Sequence, residues 1–98
     1  MTVILTSGRK VVAAAGTAVT LESDRREVAV VIITAETGTV ANTGYIVVGD
    51  SDVDETAATR TGHPLAAGDS LTLYGVDLSK VYIDAGVSGD GVTFLYWG

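Results

Sequence analysis

The side chains able to do chemistry are few. The chain has one histidine, His63, and no cysteine. A hydrolytic triad needs an imidazole beside an activated hydroxyl and a buried carboxylate. No G-x-S-x-G elbow is present to present such a hydroxyl. His63 stands directly before Pro64 and reads as a loop residue capping a turn. Without a thiolate there is neither a cysteine nucleophile nor a soft metal ligand. Carboxylate pairs are the remaining route to acid–base work. Asp50, Asp52, Asp54, Glu55, Asp77, Asp84 and Asp90 are the candidates. Most fall at strand ends or turns, where Asp is favoured for its hydrogen bonds to nearby backbone N–H groups. No pair stands out, and no catalytic residue or cofactor is expected.

Two segments resemble ligand loops without meeting their requirements. Asp50-Ser51-Asp52-Val53-Asp54-Glu55 places carboxylates at alternate positions, as calcium loops begin. An EF-hand needs Gly at its sixth position, where Glu55 stands, and a bidentate Glu at its twelfth, where Thr61 stands. An irregular calcium site through Asp50, Asp52 and Asp54 stays open beside a solvated acidic loop. On an extended backbone these three would share one face. Gly86-Val87-Ser88-Gly89-Asp90-Gly91 is glycine-rich but lacks the Lys-Ser/Thr ending of a phosphate loop. It reads as a hairpin turn between Val81–Asp84 and Val92–Trp97.

The elements around these residues are strands. Leu71 and Leu73 alternate with Ser70, Thr72 and Tyr74, and Val81 and Ile83 alternate with Lys80, Tyr82 and Asp84. Val19 and Leu21 alternate with Thr20 and Glu22. Period two with one wet face describes antiparallel strands at a surface. Tyr74 and Tyr82 fall on outward faces in this register. Val28–Ala35 and Val92–Trp97 are apolar on both faces, so each is central or has its second face covered by a partner. The connection from Gly49 to Asp69 is too long to be structureless in so small a domain. It is expected to hold a short edge hairpin anchored by Val53 and Leu65. Residues 1–8 form a possible strand-exchanging arm, since Thr2-Val3-Ile4-Leu5-Thr6 is a good strand that could pair with a neighbour's sheet edge.

With 98 residues, the chain reads as one domain over residues 1–98. Hydrophobic residues make up 47% and charged residues 18%, so apolar surface exceeds what one small core hides. Six basic and twelve acidic residues give a net charge of −6, which repels phosphate backbones and argues against a nucleic-acid partner. The apolar run Val28–Ile33 is far shorter than the roughly 20 residues of a membrane helix, so a membrane partner is not expected.

The stretch from Glu27 to Trp97 resembles a group of small β-rich structural proteins of phages and prophages. The residues that carry the resemblance begin with the apolar strand Val28–Ile33. Asn42-Thr43-Gly44 then leads into Tyr45-Ile46-Val47-Val48-Gly49, followed by a polar loop with a buried Val53. Pro64-Leu65-Ala66-Ala67-Gly68-Asp69-Ser70-Leu71-Thr72-Leu73 comes next, then the Asp77-Leu78-Ser79 turn, Val81-Tyr82-Ile83 and Gly89-Asp90-Gly91-Val92. The resemblance implies a capsid decoration, cement or head-fibre subunit of a virion, made in the host cytoplasm. It implies no catalytic residues. It also implies symmetric self-association, with a trimer as one arrangement, and docking on a major capsid protein or another virion protein.

The sequence thus predicts an all-β fold: an antiparallel β-sandwich or flattened barrel of about seven to eight strands, jelly-roll-like in its frequent turns. The expected function is structural and not enzymatic, with Val3, Leu5, Tyr74, Tyr82, Leu95 and Trp97 as interface residues. A carbohydrate-binding or adhesive β module, or a small tail or adaptor protein, is the alternative.

Overall fold

The structure, a computed structural model, describes residues 4–37, 42–56 and 58–98. Val3 and the start of the N-terminal arm lie outside the described residues. Among the described residues, eight strands run in the order β1 (Thr6–Val11), β2 (Val19–Thr20), β3 (Glu27–Ala35), β4 (Ile46–Gly49), β5 (His63–Leu65), β6 (Ser70–Asp77), β7 (Tyr82–Ala85) and β8 (Gly91–Trp97). They form two four-stranded antiparallel sheets. Sheet A has the order β1-β8-β3-β6 and sheet B the order β2-β7-β4-β5. The first strand pairs with the eighth, the second with the seventh, the third with the sixth and the fourth with the fifth. That nesting is one long ribbon of paired strands folded over on itself, and β3·β8 and β4·β7 contacts stitch it laterally. It is the jelly-roll form of the β-sandwich, as the sequence predicts, and not a closed barrel.

The core lies between the sheets. Val31, Ile33, Val92 and Phe94 of sheet A face Ile46, Val48, Leu65 and Ile83 of sheet B, and Val12, Leu21 and Leu78 close the ends. Gly8 on β1 sits opposite Phe94 and leaves room for its ring, because a Cβ there would lie 2.5 Å from the ring carbon Cζ. The period-two strands are seated as their sequences require, with Leu71 and Leu73 turned inward and Thr72 and Tyr74 outward. The parity then changes. Val76 on β6 and Val28 on β3 face inward, although unbroken alternation from Leu73 and Val31 would turn them out. The switch lies at Ala29 and Gly75, where Gly75 adopts a φ of +61° that side chains rarely tolerate.

Three local expectations are corrected. The segment Gly86–Gly91 is not a hairpin turn, because β7 belongs to sheet B and β8 to sheet A; the chain crosses between sheets there. The acidic run is not extended: the Val53 N–H donates to the Asp50 carbonyl at 3.1 Å, which makes a turn. His63 does not cap a turn but opens edge strand β5, opposite Val48. The expected edge hairpin is present. Asp54 bridges Thr61, β5 pairs with β4, and Val53 and Leu65 are both buried.

Candidate functional site

The outer faces of the two sheets differ in what covers them. On sheet B, Val47 on β4 and Asp84 on β7 lie directly opposite each other and point away from the core, yet both are buried. Their cover is the protein's own loops. The Gly16 N–H donates to the Asp84 carboxylate at 3.1 Å, which ties the β1–β2 loop down over the sheet. Val53, from the β4–β5 loop, packs against the same face at Gly49 and Gly62.

Sheet A has no such cover among the described residues. Its outer face is built in rows across the strands. Trp97, Val30 and Tyr74 form one row on β8, β3 and β6; Ser7, Leu95, Ile32 and Thr72 form the next; Arg9, Thr93, Thr34 and Ser70 form the third. Tyr74 is 73% exposed, and Val30, Ile32, Leu95 and Trp97 are each half-buried. Leu5, 60% exposed, precedes β1 where the β1–β8 register, continued by one residue, sets it opposite Trp97. The apolar rows thus occupy one end of the face. The other end is polar. Thr34 Oγ1 lies 2.8 Å from Ser70 Oγ, and the Arg9 guanidinium donates to the nearly buried Glu36 carboxylate at 3.0 Å.

The two doubly apolar strands of the sequence, β3 and β8, are therefore neighbours, and their second faces form one surface. Of the sequence-predicted interface residues, Tyr74, Leu95 and Trp97 come together there, with Leu5 at its margin. Tyr82 does not join them. It lies on the outer face of sheet B, half-buried, opposite Gly49 and Thr20. Ile32 and Val30 complete the surface and were signalled by the second apolar face of their strand.

Asp50, Asp54, Asp77, Asp84 and Asp90 accept hydrogen bonds from backbone N–H groups. Asp90, buried in the β7–β8 crossover, accepts the N–H groups of Thr43 and Gly44, the latter at 2.9 Å. Beside it, Asn42 pairs with both backbone groups of Gly91 at 2.9 Å, as a neighbouring strand would. Asp50 accepts the N–H of Asp52. Asp54 accepts the Thr59 hydroxyl and the Thr56 N–H, and these bonds hold its carboxyl below the usual range. The three loop aspartates do not converge, and no group of three or more potential metal ligands gathers among the described residues. Asp77 accepts the Arg26 N–H and both donors of Ser79, which likewise lowers its pKa. Among the described residues no buried side-chain nitrogen or oxygen lacks a partner, and no helix is long and apolar enough to cross a membrane.

A second apolar surface opens between the sheets at the β5–β6 margin. Leu71 and Leu73 of β6 form a slot there with Val48 and Val81, rimmed by His63 and Lys80. It exists because β5 is three residues long while β6 has eight, so the inward leucines of β6 outrun their cover. No protein-family model, curated protein or solved structure matches the chain.

Proposed function

We propose that this chain is a non-catalytic structural subunit of a phage-type virion, a decoration or cement protein that docks on the capsid through the outer face of sheet A. One observation carries the docking surface: the chain roofs sheet B with its own loops and leaves the Trp97–Val30–Tyr74 and Leu95–Ile32 rows of sheet A open. A contiguous apolar patch rimmed by polar residues marks a contact surface. The virion context rests on the resemblance of Glu27–Trp97 to small phage structural proteins. It is also in keeping with the jelly roll, which viral capsid proteins use alongside lectins and cupins; that last argument is analogy at the level of fold. The buried carboxylates support a structural reading, because Asp84 and Asp90 each hold a loop and Glu36 pairs with Arg9 of β1.

The test is co-sedimentation. Particles purified on a density gradient from the source culture should carry the chain at a copy number comparable with that of the capsid subunit. Added wild-type protein should re-bind stripped particles, and Leu95→Lys protein should not. A chain that stays at the top of the gradient would overturn the reading. The placement of Tyr74 and Trp97 in one row on either side of Val30 favours one other use, as an aromatic platform for a sugar ring. Hits on a glycan array that disappear in Tyr74→Ala would select that reading instead.

A further inference from the structure

The two sheets have four edge strands, and three are protected against pairing with another chain. β2 is two residues long. β5 is three residues long and contains Pro64, which has no N–H to donate. β1 carries Arg9 and Lys10. Short length, proline and charge are the devices that keep edges apart. The fourth edge, β6, has none of them from Ser70 to Val76: it is eight residues long, lacks proline, and its one charge is the terminal Asp77. β3 is the one described strand that pairs with it.

The direction of its free backbone groups follows from the ladder. The Ala35 N–H donates to the Asp69 carbonyl at 2.9 Å, so Asp69 faces β3. Alternation along the strand then turns Leu71 and Leu73 toward β3 and leaves the main-chain groups of Ser70, Thr72 and Tyr74 pointing outward. The kink at Gly75 ends this stretch. The pattern Ser-Leu-Thr-Leu-Tyr reads alike in both directions about Thr72, polar or amphipathic residues outward and leucines inward.

From these features we infer that β6 pairs antiparallel with β6 of a second copy of this chain across a twofold axis at Thr72. Thr72 then meets Thr72 of the second copy as a hydrogen-bonded pair, Ser70 meets Tyr74, and Leu71 meets Leu73. The outward main-chain groups are those that a hydrogen-bonded pair at Thr72 requires. Leu71 and Leu73, half-exposed in the open slot, gain apolar neighbours from the second copy. No like charges are opposed, which matters for a chain of net charge −6. The row Leu95–Ile32–Thr72 continues into its symmetry mate, so two sheets of type A become one, with a single outer face. The pairing closes at two copies. It deepens the virion reading by naming how the subunit self-associates, and it stands independently of what the outer face docks on.

The test uses the absence of cysteine. Antiparallel hydrogen-bonded partners have Cα atoms about 5.5 Å apart, within the span of a disulfide. Under mild oxidation Thr72→Cys should cross-link to a dimer on a non-reducing gel, whereas Thr93→Cys, on the interior strand β8 away from the β6 edge, should not. By light scattering the wild type should be a dimer. Thr72→Lys, which opposes two ammonium groups, and Thr72→Pro, which removes an outward N–H, should be monomers with unchanged far-UV circular dichroism. A monomeric wild type, a folded Thr72→Lys that remains dimeric, or cross-linking at position 93 instead of 72 would overturn the inference. Loss of particle docking with the dimer intact would instead strike at the virion reading, so the two failures are separable.

Discussion

Val47 and Asp84 face each other across β4 and β7 on the outside of sheet B, and both are buried there, an apolar side chain beside a carboxylate. The pair shows how this small domain uses its limited chain. The Gly16 N–H on Asp84 holds the β1–β2 loop to this face, so the carboxylate is a tether, and among the described residues sheet A is left as the open side.

Asp84→Ala removes the acceptor of the buried Ala85 N–H and of the Gly16 N–H in the exposed β1–β2 loop. An unsatisfied buried donor costs about 1–3 kcal/mol. The urea midpoint should fall by that equivalent with an unchanged slope, and Asp84→Asn, which keeps an acceptor oxygen, should lose less.

Gly8→Ala tests the packing under β1. The new Cβ would lie 2.5 Å from Phe94 Cζ, and the ring is held between the sheets. Overpacking of this kind costs about 1–3 kcal/mol. Thermal melting should show the loss, whereas Gly86→Ala, whose Cβ meets nothing within 4 Å, should leave the midpoint nearly unchanged.

Asp77 sets part of the acid limb. The Arg26 N–H, then the donors of Ser79, hold its folded pKa below the unfolded value of about 3.9. A depressed carboxylate contributes stability that is fully present above the unfolded pKa and is lost as pH falls through the folded one. The melting temperature of the wild type should therefore fall as pH drops below about 4, and Asp77→Asn should flatten that fall while lowering stability at neutral pH.

Much of this was legible in the residues. Period two placed Leu71, Leu73, Val81 and Ile83 inward, and the doubly apolar strands Val28–Ala35 and Val92–Trp97 flagged the surface that β3 and β8 now share. What sequence could not give was which sheet each strand joins. The Gly86–Gly91 turn has hairpin chemistry, but turn residues specify a reversal and not whether the next strand returns to the same sheet. Tyr82 and Tyr74 show the same limit: each faces out, but from opposite sheets. The buried Asp84 looked like any strand-end aspartate, although its place between Ile83 and Ala85, inside an apolar strand, was a signal. Gly75 inside β6 was a second, since glycine within a strand marks a bulge or kink.

Tyr74→Lys separates surface from core. Its side chain is 73% exposed, so the substitution should change folding stability by no more than about 0.5 kcal/mol. Docking on particles should nonetheless weaken, because the ammonium would have to be desolvated among Val30 and Trp97.

Hydroxyl-radical footprinting of the chain, free and bound to purified particles, tests the central claim most directly. Tyr74 and Trp97 should be oxidised in the free protein and protected on the particle, while Tyr45, 49% exposed just before β4 of the other sheet, should react equally in both. Unchanged labelling of Tyr74 and Trp97 on the particle, or protection at Tyr45 in their place, would contradict docking through the outer face of sheet A.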